Sequence, residues 1–169
     1  MVFALTFTIK IPTASGYIHL GDSMIYLAAC LLPWPYAFLA AAVGGAMSDF
    51  AGGYVLYIIP TFIIKGLISL PFSAKEEKIV TKRNGFMVIL SGVITVAGYY
   101  LAQVFVFAYT TAGTQQSFAG LLLSGKTWIS ALSGIPENII QAVGSAAAFL
   151  IIGFALDKVK IKSKMNKML

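Results

Sequence analysis

Of 169 residues, 59% are hydrophobic and 11% are charged, with a mean hydropathy of +0.87, against roughly 45–50% apolar residues in soluble domains. Backbone groups in hydrocarbon must be satisfied within helices or a closed barrel, and the long unbroken apolar runs lack a barrel's alternation, so the composition excludes a water-soluble domain and points to helices. The net charge of +6 does not indicate nucleic acid, because the basic residues sit at the ends of apolar runs and not in a stripe interleaved with aromatics.

The expected fold is an all-α integral membrane protein, a bundle of about six transmembrane helices forming one domain over residues 1–169. Residues 2–11 form an apolar stretch too short to span alone, so the first helix is partial or buried by neighbours. Residues 12–21, with Pro12, Ser15, Gly16 and His19, read as a loop leading into a helix that Asp22 or Ser23 caps. Residues 23–47 are apolar except at Pro33-Trp34-Pro35, where the prolines divide two short helices. A single kinked span is the alternative. Residues 48–53 are polar and glycine-rich and read as a turn, and residues 54–71 resume an apolar helix interrupted by Pro60 and Lys65. A basic loop follows at 73–84, then a full span at 86–108, a polar and aromatic stretch at 109–133, and a last span at 136–156.

Lys75, Lys78, Lys82 and Arg83 cluster in one loop, and Lys158, Lys160, Lys162, Lys164 and Lys167 cluster in the tail. By the positive-inside rule both clusters are cytoplasmic, which puts residues 48–53 and 109–133 outside and both termini inside. Cys30 is the single cysteine, so an internal disulfide is ruled out and a cysteine metal cluster is implausible. The first residues lack a basic run and a cleavage site, so no removable signal peptide is expected.

Gly120 to Thr127 fits the G-x-x-x-x-G-K-[ST] phosphate-loop pattern. It lies in an outer loop between membrane helices, whereas a phosphate loop follows a buried strand and opens a helix in an α/β domain, so it reads as a chance match. With one histidine, no H-E-x-x-H, no G-x-S-x-G and no carboxylate cluster with metal spacing, an enzyme is not expected, and neither a metal nor a cofactor is. His19 reads as a loop residue.

Small residues recur at Ala40, Ala41, Gly44, Gly45 and Ser48, and at Gly144, Ser145 and Ala148, spacing that lets helices approach closely within the bundle. Ala4 and Thr8 offer a shorter version on the first helix, where docking of a partner is plausible. Ionisable and amide groups among apolar ones are costly and face a cavity or a partner. Asp22 and Asp49 lie near outer helix ends, Lys65 lies within a span, Tyr99, Tyr100 and Gln103 sit mid-helix, and Glu137, Asn138 and Gln141 open the last helix. Asn138 and Gln141 share one helical face, where amides can bond a flat heterocycle. Bland readings stand beside these: Asp22 caps a helix, Lys65 pairs with a carboxylate or snorkels, and Glu137 answers the helix dipole. Tyr54, Tyr109 and Trp128 are interfacial anchors whose rings can also stack on a ligand.

Leu20-Gly21-Asp22, the run from Gly44 to Tyr54, and Thr61-Phe62-Ile63-Ile64-Lys65-Gly66-Leu67 together resemble the S components of energy-coupling factor (ECF) vitamin transporters, in the branch related to riboflavin-type S components. The resemblance covers nearly the whole chain. It implies a multi-pass cell-membrane subunit that binds a vitamin or precursor near the outer face and docks on a transmembrane coupling subunit driven by a pair of cytoplasmic ATPases. On that pattern the pocket is closed by outer loops, here 12–20, 48–54 and 109–133. Family members dock through alanine-rich A-x-x-x-A spacing on the first helix; here Thr8 stands at the matching distance from Ala4. The expected substrate-binding set is Asp49, Tyr54, Tyr100, Gln103, Trp128, Asn138 and Gln141, and the expected ligand is a small heteroaromatic vitamin or precursor, with hydroxymethylpyrimidine or pyridoxine ahead of riboflavin, folate, pantothenate or a queuosine precursor. Two other classes stay open at this point: a membrane structural or assembly partner, and an ion-coupled secondary transporter with Asp49 and Lys65 as its ionisable pair.

Overall fold

The computed structural model describes residues 1–13, 17–113 and 116–166, apart from the Asn166 side chain. Ser15 and Gly16 of the expected loop and Lys167 of the basic tail lie outside these residues. Helix α1 is Val2–Thr8 and is followed by an antiparallel hairpin of β1, Lys10–Pro12, and β2, Tyr17–His19, with Ile11 opposite Ile18. The helices α2, Gly21–Leu31, and α3, Trp34–Gly52, come next, and a short 3-10 turn at Val55–Tyr57 opens into α4, Ile58–Ser69. The long helix α5, Lys82–Thr111, precedes two short ones, α6, Phe118–Leu123, and α7, Gly125–Ala131; then come α8, Ile135–Lys158, and α9, Ile161–Asn166.

Several boundaries differ from the sequence reading, each for a local reason. In the stretch expected as a loop, Tyr17–His19 instead forms a strand paired with Lys10–Pro12, its side chains alternating between the two faces. Pro12 sits at the edge of this small sheet, where proline is tolerated. The polar run at 48–53 continues α3 almost to its end, since Ser48 returns its hydroxyl to the Gly44 carbonyl at 2.9 Å within the helix. Gly53 then stops it at φ +80°, and the Tyr54 amide bonds the Asp49 carbonyl at 2.8 Å. Pro60 does not interrupt α4, because it falls in the first turn, where a missing amide hydrogen costs nothing. Pro33 separates α2 from α3, as its flanking pattern predicts.

Helix α3 packs on α4 and α1, α4 packs on α5, and α8 lies against both α5 and α2. Small residues make these contacts close: a Cβ on Gly44 would stand 2.9 Å from Val2 of α1. The core gathers Tyr26, Phe72 and Phe149, whose ring centroids lie 5.0 to 5.8 Å apart. Outside it, Ile89, Val93, Leu101, Ile139, Val143 and Ile151 are exposed on α5 and α8. An exposed apolar skin is the reverse of a soluble protein's surface and suits hydrocarbon contact. The segments Lys82–Thr111 and Gly125–Lys158 are each long and apolar enough to cross a membrane.

Away from the hairpin, the loop between α4 and α5 folds back on the end of α8. Asp157 accepts from the amides of Ile79 at 2.7 Å and Val80 at 2.9 Å, and Lys162 donates to the Glu76 carbonyl at 2.6 Å. Thr81 caps α5 by accepting from the Asn84 amide at 3.1 Å, while the buried Asn84 side chain accepts from the Ser73 amide and donates to the carbonyls of Ser73 and Ile79.

Candidate functional site

The floor of the site is a charge pair inside the bundle. Asp22 in the first turn of α2 and Lys65 in α4 meet at 2.6 Å, and their side chains are 0% and 1% exposed. Gln141 of α8 donates to the second Asp22 oxygen at 3.2 Å and accepts from the His19 amide at 3.3 Å. The Lys65 ammonium also stands 5.0 Å from the centre of the Tyr99 ring, and the Tyr99 hydroxyl lies 3.1 Å from Thr61 Oγ1. Gly45 makes room for the lysine stem: a Cβ there would stand 2.7 Å from Lys65 Cγ. Each charge has an opposite charge and a further polar or aromatic neighbour, the condition under which a buried pair is tolerated.

Asp22 therefore does not cap its helix. Leu20 holds the cap position without a side-chain bond, and the Ser23 hydroxyl donates to the Leu20 carbonyl at 2.6 Å. Nor does Lys65 pair with Asp49, the partner considered from the sequence; it pairs with Asp22.

Above this floor lies a cavity whose empty space, counted out into the open solvent at its mouth, is about 630 Å³. Lys65, Tyr99 and Gln103 line it from α4 and α5, Asn138 and Gln141 from α8, and Asp49 from the end of α3. The hairpin covers one side. Tyr17 donates to Asp49 Oδ1 at 2.8 Å, Thr13 donates to Glu137 Oε2 at 2.8 Å, and the Tyr17 and Tyr54 rings lie 5.0 Å apart.

In the hairpin, burial and then the neighbouring Asp49 carboxylate push the Tyr17 phenol above its ordinary range, so it stays a donor. Burial and the Lys65 charge lower His19 to about 3, although Asp22 pulls the other way. Its ring is neutral at physiological pH, with Nδ1 accepting from the Gly21 amide at 3.0 Å and the proton left to Nε2.

Of the residues singled out from the sequence, Asp49, Tyr54, Gln103, Asn138 and Gln141 come together on this cavity. The Asn138 amide also donates to the Gly134 carbonyl at 2.9 Å. Tyr100 and Trp128 are placed elsewhere. The Tyr100 hydroxyl donates to the Trp128 carbonyl at 3.3 Å, and the Trp128 indole donates to the Leu122 carbonyl at 2.8 Å. Tyr100 lines an apolar groove between α5 and α8, whereas its neighbour Tyr99 lines the cavity. The cavity also takes in Thr6, Tyr17, His19 and Tyr57, which the sequence reading did not select. Tyr17 and His19 were legible only through their two-residue spacing, which puts both side chains on one face of a strand. The phosphate-loop match from Gly120 to Thr127 runs through α6, Ser124 and α7, and among the described residues the element before it is the helix α5 and not a strand.

A helical bundle with an apolar skin, holding a polar and aromatic cavity beneath a hairpin, is built like a membrane protein that holds a small polar molecule. Over residues 1–158 the chain matches the family described as ECF-type riboflavin transporter, S component, and it belongs to that family. It is thus a vitamin-transport subunit of a membrane complex, in a family of transporter components and not of enzymes. Compared with curated proteins, the chain has no match.

Proposed function

We propose that this S component captures a small heteroaromatic vitamin or vitamin precursor, hydroxymethylpyrimidine or pyridoxine ahead of the others, in the cavity between Asp49, Gln103, Asn138 and Gln141. The observation that supports it most is the convergence on one cavity of carboxylates and amides from α3, α5 and α8 with tyrosines from the hairpin, residues 54–57 and α5. Flat rings with hydroxyl and nitrogen edges match such a lining, and the tyrosines supply stacking faces. The basic residues of the α4–α5 loop and of α9 meet at the end of α8 opposite Gln141. Taken as cytoplasmic, they turn the cavity outward.

Docking on the coupling subunit, which a pair of cytoplasmic ATPases drives, is assigned to the outer face of α1. Ala4 and Thr8 are both exposed there, and the Thr8 hydroxyl is folded back onto the Ala4 carbonyl at 2.6 Å, which lowers its polarity towards a partner. Membership of the S-component family weighs against a stand-alone ion-coupled transporter, and the Asp22–Lys65 pair removes the ionisable couple on which that reading relied.

Mass spectrometry of small molecules released from gently purified protein, followed by calorimetric titration with the compound found, tests the capture role. A stoichiometric ring compound is expected, and replacing Asn138 and Gln141 together with alanine weakens its binding by roughly ten-fold or more. The same titration on Tyr100→Phe leaves affinity unchanged. An empty protein that ignores a panel of vitamins overturns the proposal in favour of an assembly role.

A further inference from the structure

Apart from the ligand cavity, the bundle has a second concavity, in its apolar skin. Helices α5 and α8 leave a groove between them, lined by Val88, Gly92 and Val93 on one wall and Ala142, Val143 and Ala146 on the other. Small residues open it: a Cβ on Gly92 would meet only the Ala142 methyl, at an ordinary 3.5 Å. Tyr100 lines one end, and its hydroxyl is committed to the Trp128 carbonyl at 3.3 Å. The other end runs towards the basic residues. Lys82, Ile89 and Val96 are two turns apart in succession on α5, so the lysine shares a stripe of the helix with two residues that line the groove. The bonds of the Ile79 and Val80 amides to Asp157 bring the end of α8, with Lys158, to the same foot. Glu76 and Glu77 offset Lys75 and Lys78 within the loop, which leaves Lys82, Arg83, Lys158 and Lys160, all exposed, against Asp157.

We propose that the groove and its basic foot together hold one anionic phospholipid, with the phosphate headgroup at Lys82, Arg83 and Lys158 and one acyl chain lying between α5 and α8. The site is separate from the vitamin cavity and does not depend on what that cavity binds. Both helices are long and apolar enough to cross a membrane, so the groove opens onto hydrocarbon and its foot lies where headgroups begin. Lengths agree. From Lys82 to Gly92 is about 15 Å of helix, the depth of one leaflet of a roughly 30 Å hydrocarbon core, so a chain anchored at the foot ends beside the small residues Gly92 and Ala142. The remainder of the groove, up to Tyr100, is left to chains of the opposite leaflet. Lysine stems lie along apolar surface while their ammonium groups reach the membrane surface, where each attracts acidic lipid. A helix of another protein would use the apolar trough and have no need of the basic foot, whereas an anionic lipid uses both.

Native mass spectrometry of the full chain, stripped of lipid in mild detergent and titrated with phosphatidylglycerol or with phosphatidylcholine of the same acyl chains, tests both halves of the site. Wild type is expected to retain one phosphatidylglycerol about ten-fold more tightly than phosphatidylcholine. Lys82→Gln is expected to cut that preference by about five-fold, whereas Lys126→Gln, which removes the same charge from α7 beyond the Tyr100 end, leaves it unchanged. Gly92→Leu fills the groove and is expected to weaken both lipids by about five-fold while keeping the preference between them. Val93→Trp fills it from an exposed position on the rim and makes the same test if thermal unfolding shows the leucine variant misfolded. Equal retention of the two lipids by wild type, or an equal loss of preference in Lys126→Gln, overturns the headgroup assignment. Unchanged retention in a folded groove-filling variant overturns the acyl-chain assignment, and either result removes the proposal.

Discussion

The two ends of the bundle both bury polar side chains in an apolar protein, and they treat them oppositely. At the basic end, each carboxylate oxygen of Asp157 meets a backbone amide, and Asn84 uses both ends of its side-chain amide on backbone groups. At the cavity end, Asp22 is saturated, but Asp49 and Gln103 each keep an atom without a partner among the described residues. Saturated polar groups hold a loop in place, and unsaturated ones facing a cavity await something from outside.

The sharpest way to break this comparison is at the cavity floor. Replacing Lys65 with methionine strands Asp22 as a buried charge without its counter-ion and is expected to cost about 3–5 kcal/mol of stability. Changing Asp22 to asparagine in the same chain recovers much of that loss. Thermal unfolding in detergent measures both, and a single variant as stable as wild type would show that the pair carries little.

A smaller effect is expected at the basic end. Asp157→Ala frees the amides of Ile79 and Val80 and should cost about 1–3 kcal/mol for the pair of bonds. Because the cavity lies at the other end of α8, ligand affinity should stay within about two-fold of wild type. An affinity loss as large as that of a cavity variant would show that the two ends are coupled.

A third prediction concerns pH. His19 sits in the hairpin outside the helices, and its value falls to about 3 on folding, from an ordinary value near 6.5. The unfolded chain binds a proton that the folded chain refuses, so the contribution is fully present above about pH 6.5 and is lost as pH falls towards about 3. The slope in that window approaches 1.4 kcal/mol per pH unit, an order-of-magnitude figure for one proton. Subtracting the stability curve of His19→Gln from that of wild type isolates this term from the carboxylates, and parallel curves across that window would sink it.

Much of the architecture was legible in the sequence, because apolar run length and proline placement are local signals. Pro33 marks the break between α2 and α3, and the basic residues from Lys75 to Arg83 mark the loop before and into α5. The hairpin was not legible: three-residue strands are too short for periodicity, and their pairing is decided by contact with Asp49, Glu137 and Gln141. On the cavity, polar residues within apolar helices pointed to Asp49, Gln103, Asn138 and Gln141, whereas Tyr99 and Tyr100 are neighbours on one helix, about 100° apart around it, and only packing decides which of them reaches the cavity. The Asp22–Lys65 pair spans 43 residues of separation, and no local pattern matches a charge to so distant a partner.

The hairpin's attachments carry one more consequence. Tyr17, Thr13 and the His19 amide are tethered to Asp49, Glu137 and Gln141, all of them side chains that line the cavity. A cover latched to separate residues could swing aside and leave the chamber chemically unchanged. Here, lifting it uncovers a second oxygen on Asp49 and strips a contact from Gln141, so the chamber's polarity and its degree of closure are a single variable.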